Sequence, residues 1–190
     1  MNVETNINKS LEYAEKLIGI KYQYWSESTK LSDNEPMWVS NDRAPDVEDI
    51  RNTSINCTGL INLMRRSIEL PIPGLETRAK YPGGIYQWYK YLKSKGVLKK
   101  FNYTLDYPRG TLFLRKYTSE YDQGHVSVLY TENIQESLYS IIIHSSTNCE
   151  FNVNTKLEPG VNIYNTLGQS HFYDKFGYYQ YYCLPEDWLN

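Results

Sequence analysis

Three residues of this 190-residue chain have the types and the order that thiol chemistry requires: Cys57, His125 and His144. Cys57 lies in Ile55-Asn56-Cys57-Thr58-Gly59-Leu60, where a polar stretch gives way to a helical apolar pattern. That placement predicts a sulfur in the first turn of a helix, where backbone N–H groups and the macrodipole favour an anion. A lowered thiol pKa, and so a nucleophile, is the expectation. The competing reading is a buried cysteine acting as a small apolar filler. His125 opens Gly124-His125-Val126-Ser127-Val128-Leu129-Tyr130. Strand alternation puts His125, Ser127 and Leu129 on one face and Val126, Val128 and Tyr130 on the other. An imidazole held at the start of a strand serves as a general base if it reaches the sulfur. His144 follows Ile141-Ile142-Ile143, and antiparallel pairing of the two strands brings it beside His125. A third polar group there fixes the imidazole's tautomer and aims its ring. His171 has no comparable neighbours in the sequence and is read as structural or surface.

Helices must come first and strands afterwards to present these groups, and the patterns follow that order. Ser10 is a candidate cap for a helix whose apolar positions are Leu11, Ala14, Leu17 and Ile18, with Gly19 closing it. Residues 26–52 are polar, carry Asp33, Glu35, Asp42, Asp46, Glu48 and Asp49, and show no periodicity, which reads as a loop or insertion. Cys57, Leu60, Ile61, Met64 and Ile68 then share a helical face, ended by Pro71-Ile72-Pro73-Gly74. A further helix is expected over 85–95, stopped by Gly96. Strands are expected over 111–116, 126–130 and 138–145, with one or two more in 161–188. The expected fold is a single α+β domain, N-terminal helices packed on an antiparallel sheet.

Bulk composition narrows the classes of function. With 22% charged and 41% hydrophobic residues and no long uncharged apolar run, no membrane span is expected. A net charge of −2 offers no field for nucleic acid, and Lys93, Lys95, Lys99 and Lys100 read as a solvated helix face. Cys57, Cys149 and Cys183 have neither metal-ligand spacing nor a CxxC, so reduced thiols and no metal or cofactor are expected. The first ten residues lack the basic, apolar and small-residue regions of a secretory signal. Synthesis into a cytoplasm is the expectation, with any outside role needing lysis or dedicated export.

Taken in order, Asn56-Cys57-Thr58-Gly59-Leu60-Ile61, Arg109-Gly110-Thr111-Leu112-Phe113, Gly124-His125-Val126-Ser127-Val128-Leu129-Tyr130 and Ile143-His144-Ser145 resemble the successive motifs of the NlpC/P60 cysteine peptidases. Upstream, Gly19-Ile20-Lys21-Tyr22-Gln23-Tyr24 is similar to that family's tyrosine segment. The resemblance spans roughly residues 11–146. It implies a papain-like core in which Cys57 is the nucleophile, His125 the base, His144 its orienting group and Tyr22 a hydroxyl near the oxyanion. It also implies substrate contact by Asn56, Thr58, Tyr24 and Ser127. The family's Asp-Cys-Ser is Asn56-Cys57-Thr58 here, so the carboxylate that helps hold a substrate amino group in that family is absent. Three functions follow as expectations. One is a peptidoglycan stem-peptide endopeptidase or amidase working through an acyl-thioester. Another is an intracellular thiol hydrolase of a virus or intracellular bacterium, acting on a protein, small amide or lipid ester. The last is a non-catalytic binding module on the same fold.

Overall fold

The computed structural model describes residues 2–24, 37–39, 43–77, 79–119, 122–131, 136–147, 158–173 and 179–190. Its organising element is a helix that starts at the sulfur-bearing residue. Helix α1 spans Val3–Lys16, α2 Val47–Ile50, α3 Cys57–Arg66 and α4 Ile85–Ser94. Asn56 caps α3 from an extended conformation, its side-chain oxygen accepting the Gly59 N–H at 2.6 Å. One of the amides that a helix start leaves without a partner is thereby satisfied. A Cβ on Gly59 would stand 3.0 Å from Ile55 and from Trp38, so a larger residue would press those side chains aside. Every residue of α3 is buried, including Arg65 and Arg66 at its C-terminal end. Arg65 donates to the Trp188 carbonyl at 2.8 Å and to the Tyr91 hydroxyl at 2.7 Å, and lies over the Trp88 ring. These bonds, and the negative end of the helix dipole, let a cation sit in the core.

Six antiparallel strands form one sheet in the order β1-β6-β2-β3-β4-β5. They are β1 Lys99–Lys100, β2 Leu112–Arg115, β3 His125–Leu129, β4 Ile142–Ser146, β5 Gly160–Asn162 and β6 Tyr181–Cys183. Helix α5, Leu167–Tyr173, and α6, Pro185–Trp188, complete the order. Helix α3 packs on β3 and β4 and against α1. Side-chain alternation divides the sheet. Leu112, Leu114, Val126, Val128, Ile143 and Cys183 join the core of α1, α3 and α4, whereas Phe113, Leu129 and Ile142 join Tyr107, Leu167 and Tyr179 on the other side. The α+β class and the antiparallel sheet are as expected.

Several local expectations are corrected. Helix α1 begins at Asn2, whose side chain caps it, and not at Ser10. Ser10 is buried in mid-helix with its hydroxyl donating to the Ile7 carbonyl at 3.0 Å, a back-bond that satisfies the buried hydroxyl. The strand expected over 138–145 starts late, because Ser137–Tyr139 is a 3₁₀ turn. Lys99 and Lys100 are an exposed edge strand, not a helix face, and charged residues there discourage pairing with another chain. In the stretch read as a loop or insertion, Met37–Val39 is a 3₁₀ turn and α2 follows, with Trp38, Val39 and Ile50 buried in the core. The rest of that stretch, residues 26–36 and 40–42, lies outside the described residues. Cys149 lies outside them too; Cys57 and Cys183 are free thiols. Among the described residues no helix is long and apolar enough to cross a membrane.

Candidate active site

Strands β3 and β4 share only two paired positions, Val128 with Ile143 and Leu129 with Ile142. Toward the His125 end of β3 they part, and the chain leading into α3 enters there. Ser145 of β4 donates its hydroxyl to the Ile55 carbonyl at 2.6 Å, while the Ile55 N–H bonds the Lys21 carbonyl at 2.8 Å. The sulfur of Cys57 therefore arrives at the start of β3 on the side away from β2, where the Val126 N–H faces it.

His125 projects from the opposite face, as alternation predicts. Its Nε2 lies 3.0 Å from Nδ1 of His144, with the two rings edge to face. Cross-strand neighbours on diagonal positions are within reach of such side chains. With Nε2 engaged by His144, the remaining ring nitrogen of His125 is Nδ1. A tight turn delivers the strand: Gly124 has φ +80°, and a Cβ on it would meet the Arg115 carbonyl oxygen at 2.4 Å. Only glycine takes that conformation at that separation.

Tyr179 covers the outer face of the imidazole, its ring centroid 6.3 Å from that of His125. It is fixed by a 2.8 Å hydroxyl contact with Ser170 and by the bond from its N–H to His171 Nδ1 at 3.1 Å. His171 is thus part of the aromatic cover, which meets its reading as structural. The site is nearly sealed, with Cys57 8%, His125 7% and His144 2% exposed.

Burial decides the charge state. It pushes the Cys57 thiol up to about 11, although the N–H groups of Val126, Thr58 and Cys57 and the Arg115 charge all pull the other way. The lowered thiol expected from the helix start is overturned: desolvation outweighs the amide donors. Burial, with help from Arg115, brings His125 down to about 3. The resting pair is a neutral thiol and a neutral imidazole.

Tyr22 is the third polar group on the sulfur side. Burial raises its hydroxyl well above the usual range, and the nearby Cys57 and Tyr24 add to the effect, so it remains a donor. Its backbone is held by the Pro159 carbonyl at 3.1 Å, and Tyr24 packs edge-on against its ring at 5.0 Å. The four residues assigned to substrate contact separate. Tyr24 is 45% exposed. Asn56 and Thr58 are buried and tied to each other at 3.1 Å within the helix cap. Ser127 is wholly buried beneath the aromatic cover, and among the described residues its hydroxyl has no hydrogen-bond partner. All three are as buried as Cys57, His125 and His144 themselves.

Arg115 was not among the sequence candidates. It pairs with His125 across β2 and β3 and forms a salt bridge with Asp122. Its place two residues after Phe113, on the strand preceding the histidine, is a signal only once the register is known. No cluster of His, Cys, Asp and Glu suited to a metal occurs among the described residues. No family model, no curated protein and no solved structure matches the chain, so the site stands on its own geometry.

Proposed function

We propose that the chain is a cysteine hydrolase with a papain-like arrangement of the NlpC/P60 kind. The observation that carries this is the 3.0 Å bond between His125 Nε2 and His144 Nδ1 at the strand start whose next amide faces the Cys57 sulfur. His144 fixes the tautomer that leaves Nδ1 of His125 able to accept a proton. As the sulfur adds to a substrate carbonyl, the thiol proton passes to Nδ1, so the thiolate forms only when the carbonyl is in place. The Tyr22 hydroxyl donates to the developing oxyanion. Collapse expels an amine that takes the proton from His125 and leaves an acyl-thioester. Water, deprotonated by the same nitrogen, then releases a carboxylic acid and restores the thiol.

Peptidoglycan stem peptides are the favoured substrate, in keeping with the motif order of the sequence. Incubating purified sacculi with the protein and separating the released fragments tests this. New muropeptides from wild type and none from Cys57→Ala are expected. An inactive wild type, at a concentration where a control amidase works, rejects that substrate. A second reading, hydrolysis of other amides or esters, is favoured by one observation: Asn56 and Thr58 are committed to the helix cap and offer no carboxylate for a substrate amino group. Release of acyl products from a panel of peptide, amide and ester substrates separates the two.

A further inference from the structure

We infer that α4 and the edge strand β1 form a basic, tyrosine-lined surface that holds the acidic glycan–peptide polymer of the cell wall. This rests on the proposed action on peptidoglycan. Lys90, Lys93 and Lys95 on α4 and Lys99 and Lys100 on β1 are all exposed. Between Glu76 and Asp106 the chain has no acidic residue, so α4 forgoes the glutamates that normally alternate with lysines on a solvated helix face. Among the described residues none of these lysines forms an ion pair. Protection of a sheet edge accounts for Lys99 and Lys100, but it does not reach the lysines on α4.

Tyrosine rings stand where carboxylates would. One turn apart along α4, Lys90 lies 5.6 Å over Tyr86, Lys93 5.5 Å over Tyr89 and Lys95 4.7 Å over Tyr91. Lys99 lies 6.0 Å over Tyr182, its partner across β1 and β6. A ring orders an ammonium group without neutralising it, so the charges persist and less freedom is lost when an anion arrives. Tyr89 packs on Tyr181 at 5.5 Å and joins the helix to the sheet. From there one row crosses to the site: Lys100 pairs with Tyr181, Tyr181 with Leu114, and Leu114 with Val126, whose N–H faces the Cys57 sulfur. The edge and the site are therefore three strand spacings apart, about 14 Å. Tyr89, Tyr91 and Tyr181 also pack against the cluster that contains Cys57, on the α3 side of the sheet. The wall polymer repeats carboxylates among sugars, which suit the ammonium groups and the apolar faces of the tyrosines respectively. A nucleic acid fits less well, because the whole chain has a net charge of −2 and repels a long polyanion beyond this face.

Co-sedimentation with purified sacculi tests the surface in a Cys57→Ala background, where nothing is cut. That protein should pellet with sacculi at low salt and be released at high salt. Adding Lys90→Gln, Lys93→Gln, Lys95→Gln and Lys100→Gln together should weaken binding by about tenfold or more, whereas arginine at the same four positions should retain it. With Cys57 present, the glutamine variant should lose activity on sacculi but keep wild-type turnover of a soluble muropeptide, which a general loss of structure would not allow. Unchanged binding by the glutamine variant overturns the inference, as does binding of single-stranded DNA or anionic vesicles as tight as that of sacculi. Lysine-dependent binding to sacculi that wild type does not cut would sink the peptidoglycan hydrolase reading and leave the surface standing.

Discussion

The two faces of the sheet are built from the same strands and serve opposite ends. Toward α3, Leu112, Leu114, Val126, Val128 and Ile143 present only hydrocarbon. On the other face, Phe113, Leu129 and Ile142 alternate in space with Arg115, His125, Ser127 and His144, all buried. The first face is a large source of stability, since each buried aliphatic side chain contributes about 1.5–3 kcal/mol. The second accepts polar groups that must be satisfied one by one, and it keeps them dry under Tyr179 and α5. A residue's parity along β3 thus says which cluster it joins, while Cys57, at the start of α3, belongs to the cluster on the α3 side.

The sharpest break of that contrast is chemical. Cys57→Ser should lower turnover on any accepted substrate by a factor on the order of 10³ or more, with urea unfolding unchanged within about 1 kcal/mol. A matching fall in stability would mean that the sulfur is packing, not chemistry. Next is Leu60→Ala on the apolar side, expected to cost about 2–5 kcal/mol in unfolding free energy while leaving the Cys57 alkylation profile in place. Smaller is a pH effect. His125 binds a proton in the unfolded chain near its ordinary value but resists it in the folded state until about pH 3. Stability should therefore fall as pH drops below about 6.5, by about 1 kcal/mol per unit, and this slope should flatten in His125→Asn when unfolding midpoints are compared across pH. The smallest is Ser170→Ala, which removes the hydroxyl contact to Tyr179 and should cost about 1 kcal/mol without moving the His125 titration.

Features fixed by neighbours in the chain were legible in advance. The start of α3 at Cys57, the alternation along β3 and the meeting of His125 with His144 all follow from local periodicity and one antiparallel pairing. What depends on distant partners was not. Nothing near residues 99 and 100 says strand until β6 lies beside them, and Ser10 looks like a cap until Asn2 is seen to act as one. The thiol went wrong for a related reason: the helix start is a local fact, whereas the burial that outweighs it comes from the whole sheet. Arg115 and Asp122, seven residues apart, gain their meaning only from the register that sets one of them across from His125.

The insertion of β6 between β1 and β2 has a consequence for how the molecule comes into being. Residues 57, 125 and 144 leave the ribosome well before residues 181–183, yet among the described residues β1 has no sheet neighbour other than β6, and Tyr179, which roofs the imidazole, belongs to the same late segment. A nascent chain therefore carries Cys57, His125 and His144 before their cover is in place. Completing the sheet at β6 and roofing the imidazole with Tyr179 belong to one and the same late event.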